Sequence, residues 1–203
     1  MEYIIHSYRN AVTIFENDNT FTVLWKEVLN TLDSITEQDL IKYYNSSTRE
    51  NIKSLSEPIN FLIDERLTKL NWNRQSSIFN DSEYRANRSN RTWTMDFTKG
   101  EVFAVEVAFN HGGVVAWNMI KPVLSSELNH VKKAMQTKAG IIITATDELK
   151  SKGNFDNAIG SYAKYLQYLK PMQNILSVPL AIIGLHAPKT FKVNKTTKKI
   201  EML

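Results

Sequence analysis

One stretch, MDFTKGEVFAVEVAFN (95–110), limits what this chain can fold into more than any other segment. Apolar residues alternate with others on both sides of a Lys-Gly pair, which predicts two antiparallel strands joined by a tight turn. Each predicted strand carries an acid, Asp96 on the first and Glu106 on the second. A carboxylate inside an apolar strand needs a partner, so the hairpin is a candidate functional site.

The turn decides whether the two acids meet. A two-residue turn at Lys99-Gly100 would place Asp96 and Glu106 on opposite faces of the sheet. A three-residue loop over 99–101 would pair Asp96 with Ala104, and the acids would then be diagonal neighbours with Cα atoms roughly 7–8 Å apart. The sequence leaves both registers open.

Two carboxylates that close repel each other, and burial raises the cost. Mg²⁺ would offset this repulsion, because it prefers oxygen ligands and is commonly held by one or two carboxylates plus substrate phosphate. Such an ion also activates water for attack on phosphorus. The alternative for Asp96 and Glu106 is a surface ion pair.

The segments around the hairpin predict an α/β fold. Helical spacing of apolar residues indicates helices before residue 72, with Ser34 and Glu37 in capping-box form. After the hairpin, a helix is predicted over 117–137, and the apolar runs GIIITAT (140–146) and VPLAIIGLHA (178–187) predict buried strands on either side of a further helix. This order predicts one domain with a central mixed β-sheet flanked by helices.

We divide this single domain, 1–203, into a helical N-terminal part (15–72), a sheet core (92–187) and a basic C-terminal tail (188–203). The tail has five lysines and no acid between Lys189 and Lys199, and it is either a solvated tail or an arm that contacts phosphates. The polar stretch 73–90 is predicted to be a long loop. Its arginines could lie along a phosphate backbone, or the stretch could be a mobile surface loop.

The chain has no cysteine and no apolar run near the ~20 residues of a membrane span. The start of the sequence, MEYIIHSYRN, lacks the features of a secretory signal. We therefore expect no membrane, no disulfide and no thiolate metal site. A net charge of +4 is compatible with a polyanionic partner but does not require one.

The order of several blocks resembles the BglII and BstYI group of type II restriction endonucleases. The blocks are EYIIHSYRNA, LWKEVLNTLDSI, SEPINFLIDERLTKLNW, MDFTKGEVFAVEVAFNHGGVVAWNMI, AGIIITATDEL, GNFDNAIGSYAKYLQYL and VPLAIIGL. The resemblance implies the PD-(D/E)xK nuclease fold, also found in BamHI. It further implies a homodimer that cleaves both strands of a short palindromic DNA site with Mg²⁺, without an organic cofactor, in the cytoplasm of a bacterial or archaeal cell. Within it, Asp96 matches the first metal-binding acid and Glu106 the second.

One position departs from this family pattern. The residue two after the second acid is Lys in the general motif and Gln or Glu in relatives, but Ala108 stands there in this chain. Asn110, on the same face of the strand, is our candidate catalytic substitute, and Lys99 and Lys121 are two others.

The resemblance also implies where bases are read. The candidate readers follow the 140–146 strand or the second acid, and they are Asn154, Asp156, Asn157, Ser161, Asn110 and His111. Amides can read adenine and carboxylates can accept from cytosine. Arg85 and Arg88 are candidate phosphate contacts, and a GATC-centred site is a guess from the resemblance.

The sequence thus predicts a Mg²⁺-dependent, site-specific DNA endonuclease of a restriction-modification system. Alternatives remain: a DNA-binding protein of the same fold with weak or no cleavage, for which Ala108 is the best argument, and a repair or junction-resolving nuclease. An α/β interaction protein with a charged hairpin would show no salt-dependent affinity for DNA.

Overall fold

The computed structural model of the protein describes residues 1–46, 52–87, 90–127 and 130–203. The strands are β1 (Tyr3–Tyr8), β2 (Asn73–Ser77), β3 (Thr94–Lys99), β4 (Phe103–Val107), β5 (Ala139–Ala145), β6 (Leu180–Leu185), β7 (Phe191–Val193) and β8 (Ile200–Met202). The helices are α1 (Ala11–Asn17), α2 (Asn19–Ser34), α3 (Glu37–Ser46), α4 (Ser56–Lys69), α5 (Val115–Ser126), α6 (Asp147–Lys152) and α7 (Tyr162–Met172).

Six strands form one mixed sheet in the order β1-β6-β5-β4-β3-β2. The central strands β4, β5 and β6 are parallel, whereas β1, β3 and β2 pair antiparallel to their neighbours. The predicted mixed sheet flanked by helices is confirmed. The central strands β5 and β6 are nearly continuous apolar runs because both of their faces are buried.

Alternate residues of β5 enter two different cores. Ile141 and Ile143 pack with the N-terminal helices, in a core that includes Phe15 of α1 and Trp25 of α2. Ile142 faces the other way and packs with α5 and α7, in a core that includes Met119 and Tyr165. The sheet therefore lies between two helical layers, and the β3–β4 hairpin lies toward the edge that carries β2.

The predicted loop 73–90 is wrong at its beginning, because β2 forms there. Polar residues such as Asn73 and Ser76 occupy an exposed edge strand, where pairing to β3 depends on the backbone and not on an apolar face. The predicted helix over 117–137 is also too long. It ends at Ser126, because Glu127 adopts an extended conformation.

The start of α3 differs from the expected Ser34–Glu37 capping box. Ser34 is the last residue of α2. The reciprocal hydrogen bonds are instead made by Thr36 and Asp39, with the N–H of Asp39 donating to Oγ1 of Thr36 at 3.1 Å and the N–H of Thr36 donating to Oδ2 of Asp39 at 3.0 Å.

The basic stretch at the C-terminus forms the β7–β8 hairpin. Phe191 and Val193 are buried in the same core as the N-terminal helices, so the reading as a solvated tail is wrong for this part of it. Contact with phosphates stays a prediction for the exposed Lys195 and Lys199. Within the described ranges, no helix combines the length and apolar character needed to cross a membrane.

Candidate active site

The turn of the β3–β4 hairpin sets the register of the two acids. Gly100 and Glu101 both have positive φ, at 63° and 54°, and the N–H of Val102 donates to the carbonyl of Lys99 at 3.1 Å. Lys99 then pairs with Phe103, so Val102 is an extra residue before the ladder resumes. Both predicted registers are wrong, because Asp96 comes level with Glu106 and not with Ala104.

The two acids join β3 to β4 where the regular ladder has ended. The N–H of Val107 donates to Oδ2 of Asp96 at 2.9 Å. In return, the N–H of Asp96 donates to Oε1 of Glu106 at 3.3 Å. Side-chain carboxylates thus replace main-chain carbonyls as acceptors between these strands, which brings Asp96 and Glu106 together and fixes both.

A residue of a third strand, β2, binds the second carboxylate oxygen of Asp96. Gln75 of β2 donates from Nε2 to Oδ1 of Asp96 at 3.0 Å. The backbone of Gln75 has a φ of 46°, in the left-handed region that non-glycine residues rarely occupy. Each carboxylate oxygen of Asp96 therefore accepts one protein hydrogen bond, and each keeps a lone pair for another contact. Sequence reasoning missed Gln75 because the strand that carries it was predicted to be a loop.

Glu106 lies behind Asp96 and is only 2% exposed. Its Oε2 forms an ion pair with Nζ of Lys121, which reaches it from α5. Lys121 also donates to the carbonyl of Thr94 at 3.1 Å. A buried carboxylate is stable only with such partners, and here they come from a neighbouring strand and from a helix on one side of the sheet.

Burial raises the pKa of Glu106 to about 8, and the negative charge of Asp96 adds to the rise. The ammonium of Lys121 and the N–H of Asp96 oppose it. The same carboxylate is therefore easily protonated when no cation other than Lys121 is close.

Asp96 faces an open cavity of about 440 Å³. The described residues that line the cavity are Tyr43, Glu57, Asn60, Phe61, Asp64, Arg74, Gln75, Asp96, Phe97, Val107 and Asn110. Three of these are acids and one, Arg74, is basic. Arg74 is itself paired with Asp64 at 2.6 Å. The cavity is thus acidic, and a bound cation would favour the entry of an anionic ligand.

Asn110 connects this cavity to a second surface. The N–H of Gly160 donates to the carbonyl of Asn110 at 3.1 Å, and the N–H of Gly112 donates to the carbonyl of Ala158 at 2.6 Å. A Cβ on Gly112 would lie 3.1 Å from the carbonyl oxygen of Ala158, so the close approach of the two loops favours glycine there. The predicted reading segments 110–111 and 154–161 therefore form one surface beside the acids.

The candidate readers differ in exposure on this surface. Asn110, His111, Asp156 and Asn157 are exposed. Asn154 instead uses its side-chain amide to donate to the carbonyl of Lys53. Ser161, at 6% exposure, is buried at the start of α7. Their roles as base readers stay predictions.

The candidate cations are spread over the molecule. Arg85 is exposed in the turn that follows β2, and Arg88 lies outside the described residues. Lys99 forms an ion pair with Glu27 at 2.7 Å and also donates to the carbonyl of Leu70, so its ammonium is not directed at the two acids. Of the two lysines considered as substitutes at the Ala108 position, only Lys121 contacts an acid of the site.

The donor set fits a cation that binds few protein ligands. Nowhere in the described part of the chain do three or more His, Cys, Asp or Glu side chains cluster in a way that could hold a metal. The hairpin provides two carboxylates with lone pairs in reserve, which suits Mg²⁺ because that ion keeps several waters and shares substrate phosphate oxygens.

Three comparisons with known proteins bear on this site. The family described as restriction endonuclease BglII/BglIII matches residues 3–185. The crystal structure of restriction endonuclease BglII complexed with a DNA 16-mer matches at 21% identity and a TM-score of 0.65, covering 98% of this chain and 87% of that one. Free BglII matches at 18% identity and a TM-score of 0.53, covering 95% and 83%. No curated protein sequence matches the chain. The two structures share the fold, and the family match takes in the hairpin and both loops of the adjoining surface.

Proposed function

The chain belongs to the BglII family of type II restriction endonucleases, and we propose that it hydrolyses both strands of a short palindromic DNA site as a Mg²⁺-dependent homodimer. Asp96 and Glu106 hold the metal. The observation that carries this proposal is the interlocked pair of acids, in which the N–H of Asp96 donates to Glu106 and the N–H of Val107 donates to Asp96. Asp96 lines the acidic cavity, and Glu106 is buried beside it.

The protein holds both carboxylates in place before any ligand arrives. Gln75 and Val107 fix Asp96 from opposite sides. The N–H of Asp96 and the ammonium of Lys121 fix Glu106. Bound Mg²⁺ would supply positive charge for a phosphate oxygen and a more acidic water. Little reorganisation is then needed during the reaction, which is how prearranged electrostatic groups lower a barrier.

Hydrolysis joins a water oxygen to phosphorus and breaks the bond from phosphorus to a deoxyribose oxygen, which takes up a proton. Asn110 lines the cavity with an exposed amide that can hydrogen-bond to phosphate or water. Ala108, which is buried at 1% exposure, has no polar group to contribute.

The adjoining surface is assigned to DNA recognition. Asp156 and Asn157 are exposed donors and acceptors suited to base edges, and Asn110 and His111 lie beside them. Arg85 and Arg88 are assigned to phosphates, which set the position of the duplex without reading it. A palindromic site matches the two-fold symmetry of a dimer, so each protomer would cut one strand. A GATC-centred sequence is one candidate for that site.

A digest tests the proposal. A plasmid of known sequence is incubated with the protein and Mg²⁺, and in a parallel reaction with a chelator. We expect discrete fragments with Mg²⁺ alone, and sequencing of their ends then gives the recognition site and the cut position. Ala108 is the one observation in favour of a DNA-binding protein that does not cut. A gel shift on duplex DNA with no fragments would support that alternative.

A further inference from the structure

We infer that Lys121 of α5 is the positioning residue that supplies at this site the polar group that is missing at Ala108, the residue that follows β4. This inference rests on the proposed function. The inference identifies which residue substitutes for the polar side chain that is missing at position 108. The candidates in this sequence are Asn110, Lys99 and Lys121.

The contacts of Lys121 carry the inference. Its Nζ pairs with Oε2 of Glu106 and donates to the carbonyl of Thr94 at 3.1 Å. The side chain of Lys121 is 11% exposed, and that of Glu106 is 2% exposed. The ammonium is therefore held in one place by two acceptors and is largely shielded from water. A charge in such a buried position acts over a longer range than a charge at the surface.

The position of Ala108 explains why a helix must supply this charge. Ala108 follows Glu106 by two residues and points to the same side of the sheet as α5, since it packs with Val115 and Met119. A longer side chain at 108 would meet these residues. Lys121 lies two residues after Met119 on α5. It brings an ammonium to Glu106 from the helix and not from the strand that carries Glu106.

The other candidates are less well placed. Lys99 is committed to Glu27 and to the carbonyl of Leu70. Asn110 is exposed, and its carbonyl accepts the N–H of Gly160. Asn110 carries no charge, so it can hydrogen-bond in the cavity but cannot offset the two carboxylates.

The absence of cysteine from the chain allows a sharp test of the charge itself. The Lys121→Cys variant is unfolded, treated with 2-bromoethylamine to give an aminoethyl thioether, and refolded. The product restores an ammonium at nearly the length of lysine. A parallel sample is treated with iodoacetamide, which leaves a neutral side chain. Lys99→Cys, treated in the same two ways, is the control, because it changes a partly buried Lys–Glu pair, with both side chains 22% exposed, that does not contact the site.

The rate of plasmid cleavage is measured at saturating Mg²⁺. We expect the neutral form at 121 to cut at least about 100-fold more slowly than the wild type, the order of loss seen when one prearranged electrostatic group is removed. The aminoethyl form should recover most of the rate. Both forms at 99 should cut like the wild type. Thermal unfolding and a gel shift on duplex DNA check that each product is folded.

Binding of Mn²⁺ to the protein without DNA, followed by electron paramagnetic resonance, gives a readout that does not depend on cleavage. Lys121→Met should bind Mn²⁺ no more weakly than the wild type, because a competing positive charge is gone. If its slow cleavage recovers at higher Mg²⁺ and its Mn²⁺ affinity has fallen, Lys121 serves metal affinity alone and the inference fails. Equal rates for the neutral and aminoethyl forms also overturn it. A wild type that makes no cut at all instead refutes the proposed function.

Discussion

The main-chain N–H of Asp96 donates a hydrogen bond to Oε1 of Glu106 at 3.3 Å. Asp96 in turn accepts the N–H of Val107, the residue next to Glu106, at 2.9 Å. These reciprocal bonds make the two acids one unit, because a shift of either strand breaks both contacts. The pair is held rigidly, with Asp96 lining an acidic cavity and Glu106 buried beside it, and this arrangement is the basis for assigning the two acids to a shared cation.

Asp96→Asn should abolish cleavage while DNA binding survives. The amide oxygen can still accept from Val107, but the variant loses the negative charge that holds a cation. We expect cleavage of plasmid DNA to fall by about 10²–10³-fold or more, with an unchanged gel shift. Glu148→Gln, which alters an exposed acid on α6 paired with Lys152, is the control. Full cleavage by Asp96→Asn would remove Asp96 from the site.

Two substitutions at Gln75 should separate activity from backbone strain. Gln75→Ala and Gln75→Gly both remove the hydrogen bond to Asp96, so both should lower cleavage by about 10–100-fold, as for other groups that orient a metal ligand. Since φ at this residue is 46°, glycine should give the more stable variant, by about 1 kcal/mol in the free energy of unfolding measured in urea. If the more stable Gln75→Gly variant also cleaves faster than Gln75→Ala, the loss of activity reflects backbone strain, and this result would count against a role for the side-chain amide of Gln75.

The sequence predicted the strands that carry the site, but it did not predict the register that brings the two acids together. Period-two alternation placed Asp96 and Glu106 on adjoining strands, and the runs around Ile142 and Ile182 predicted the central strands, because burial on both faces leaves a clear apolar pattern. The register of the β3–β4 hairpin could not be predicted from the sequence. It depends on a positive φ at Glu101, and glutamate is not a residue type that indicates a positive φ.

Long-range partners were also beyond reach. Nothing near Gln75 in sequence marks it as a partner of Asp96, because β2 is polar and exposed and pairs through its backbone. Lys121 is one of three candidates that the sequence offers, and only the packing of α5 against the sheet brings its ammonium to Glu106. Spacing along a chain predicts neighbours within an element, but contacts between elements depend on the tertiary fold.

The site should bind metal more tightly as the pH rises. The pKa of Glu106 is raised from its ordinary value of 4.5 to about 8 in the folded protein. The free energy of unfolding therefore falls as the pH increases between these two values, because the folded protein must give up a proton that it binds more tightly than the unfolded chain does. Mg²⁺ needs the ionised form and displaces the proton. The increase in Tm caused by Mg²⁺ should therefore grow from about pH 6 to about pH 9. Glu106→Gln should lose this pH dependence, and a shift in Tm independent of pH in the wild type would contradict the assignment of Glu106.

Two asparagines of the reading surface should behave differently. Asn157 is exposed, so Asn157→Ala should leave stability unchanged and relax the preference at one base pair by about 1–3 kcal/mol, seen in the sequenced ends of digest fragments. Asn154 donates to the carbonyl of Lys53. Asn154→Ala should therefore lower the free energy of unfolding by about 0.5–1.5 kcal/mol, measured in urea. An unchanged site preference in Asn157→Ala would place base reading elsewhere.

The central claim is that one divalent cation is shared by the carboxylates of Asp96 and Glu106. The most direct test is a crystal of the protein with its DNA duplex and Mn²⁺, examined by anomalous scattering. We predict an anomalous peak within bonding distance of an oxygen from each carboxylate and of a phosphate oxygen. A Mn²⁺ peak bound elsewhere, or an ordered duplex with no peak at these two side chains, would contradict the account.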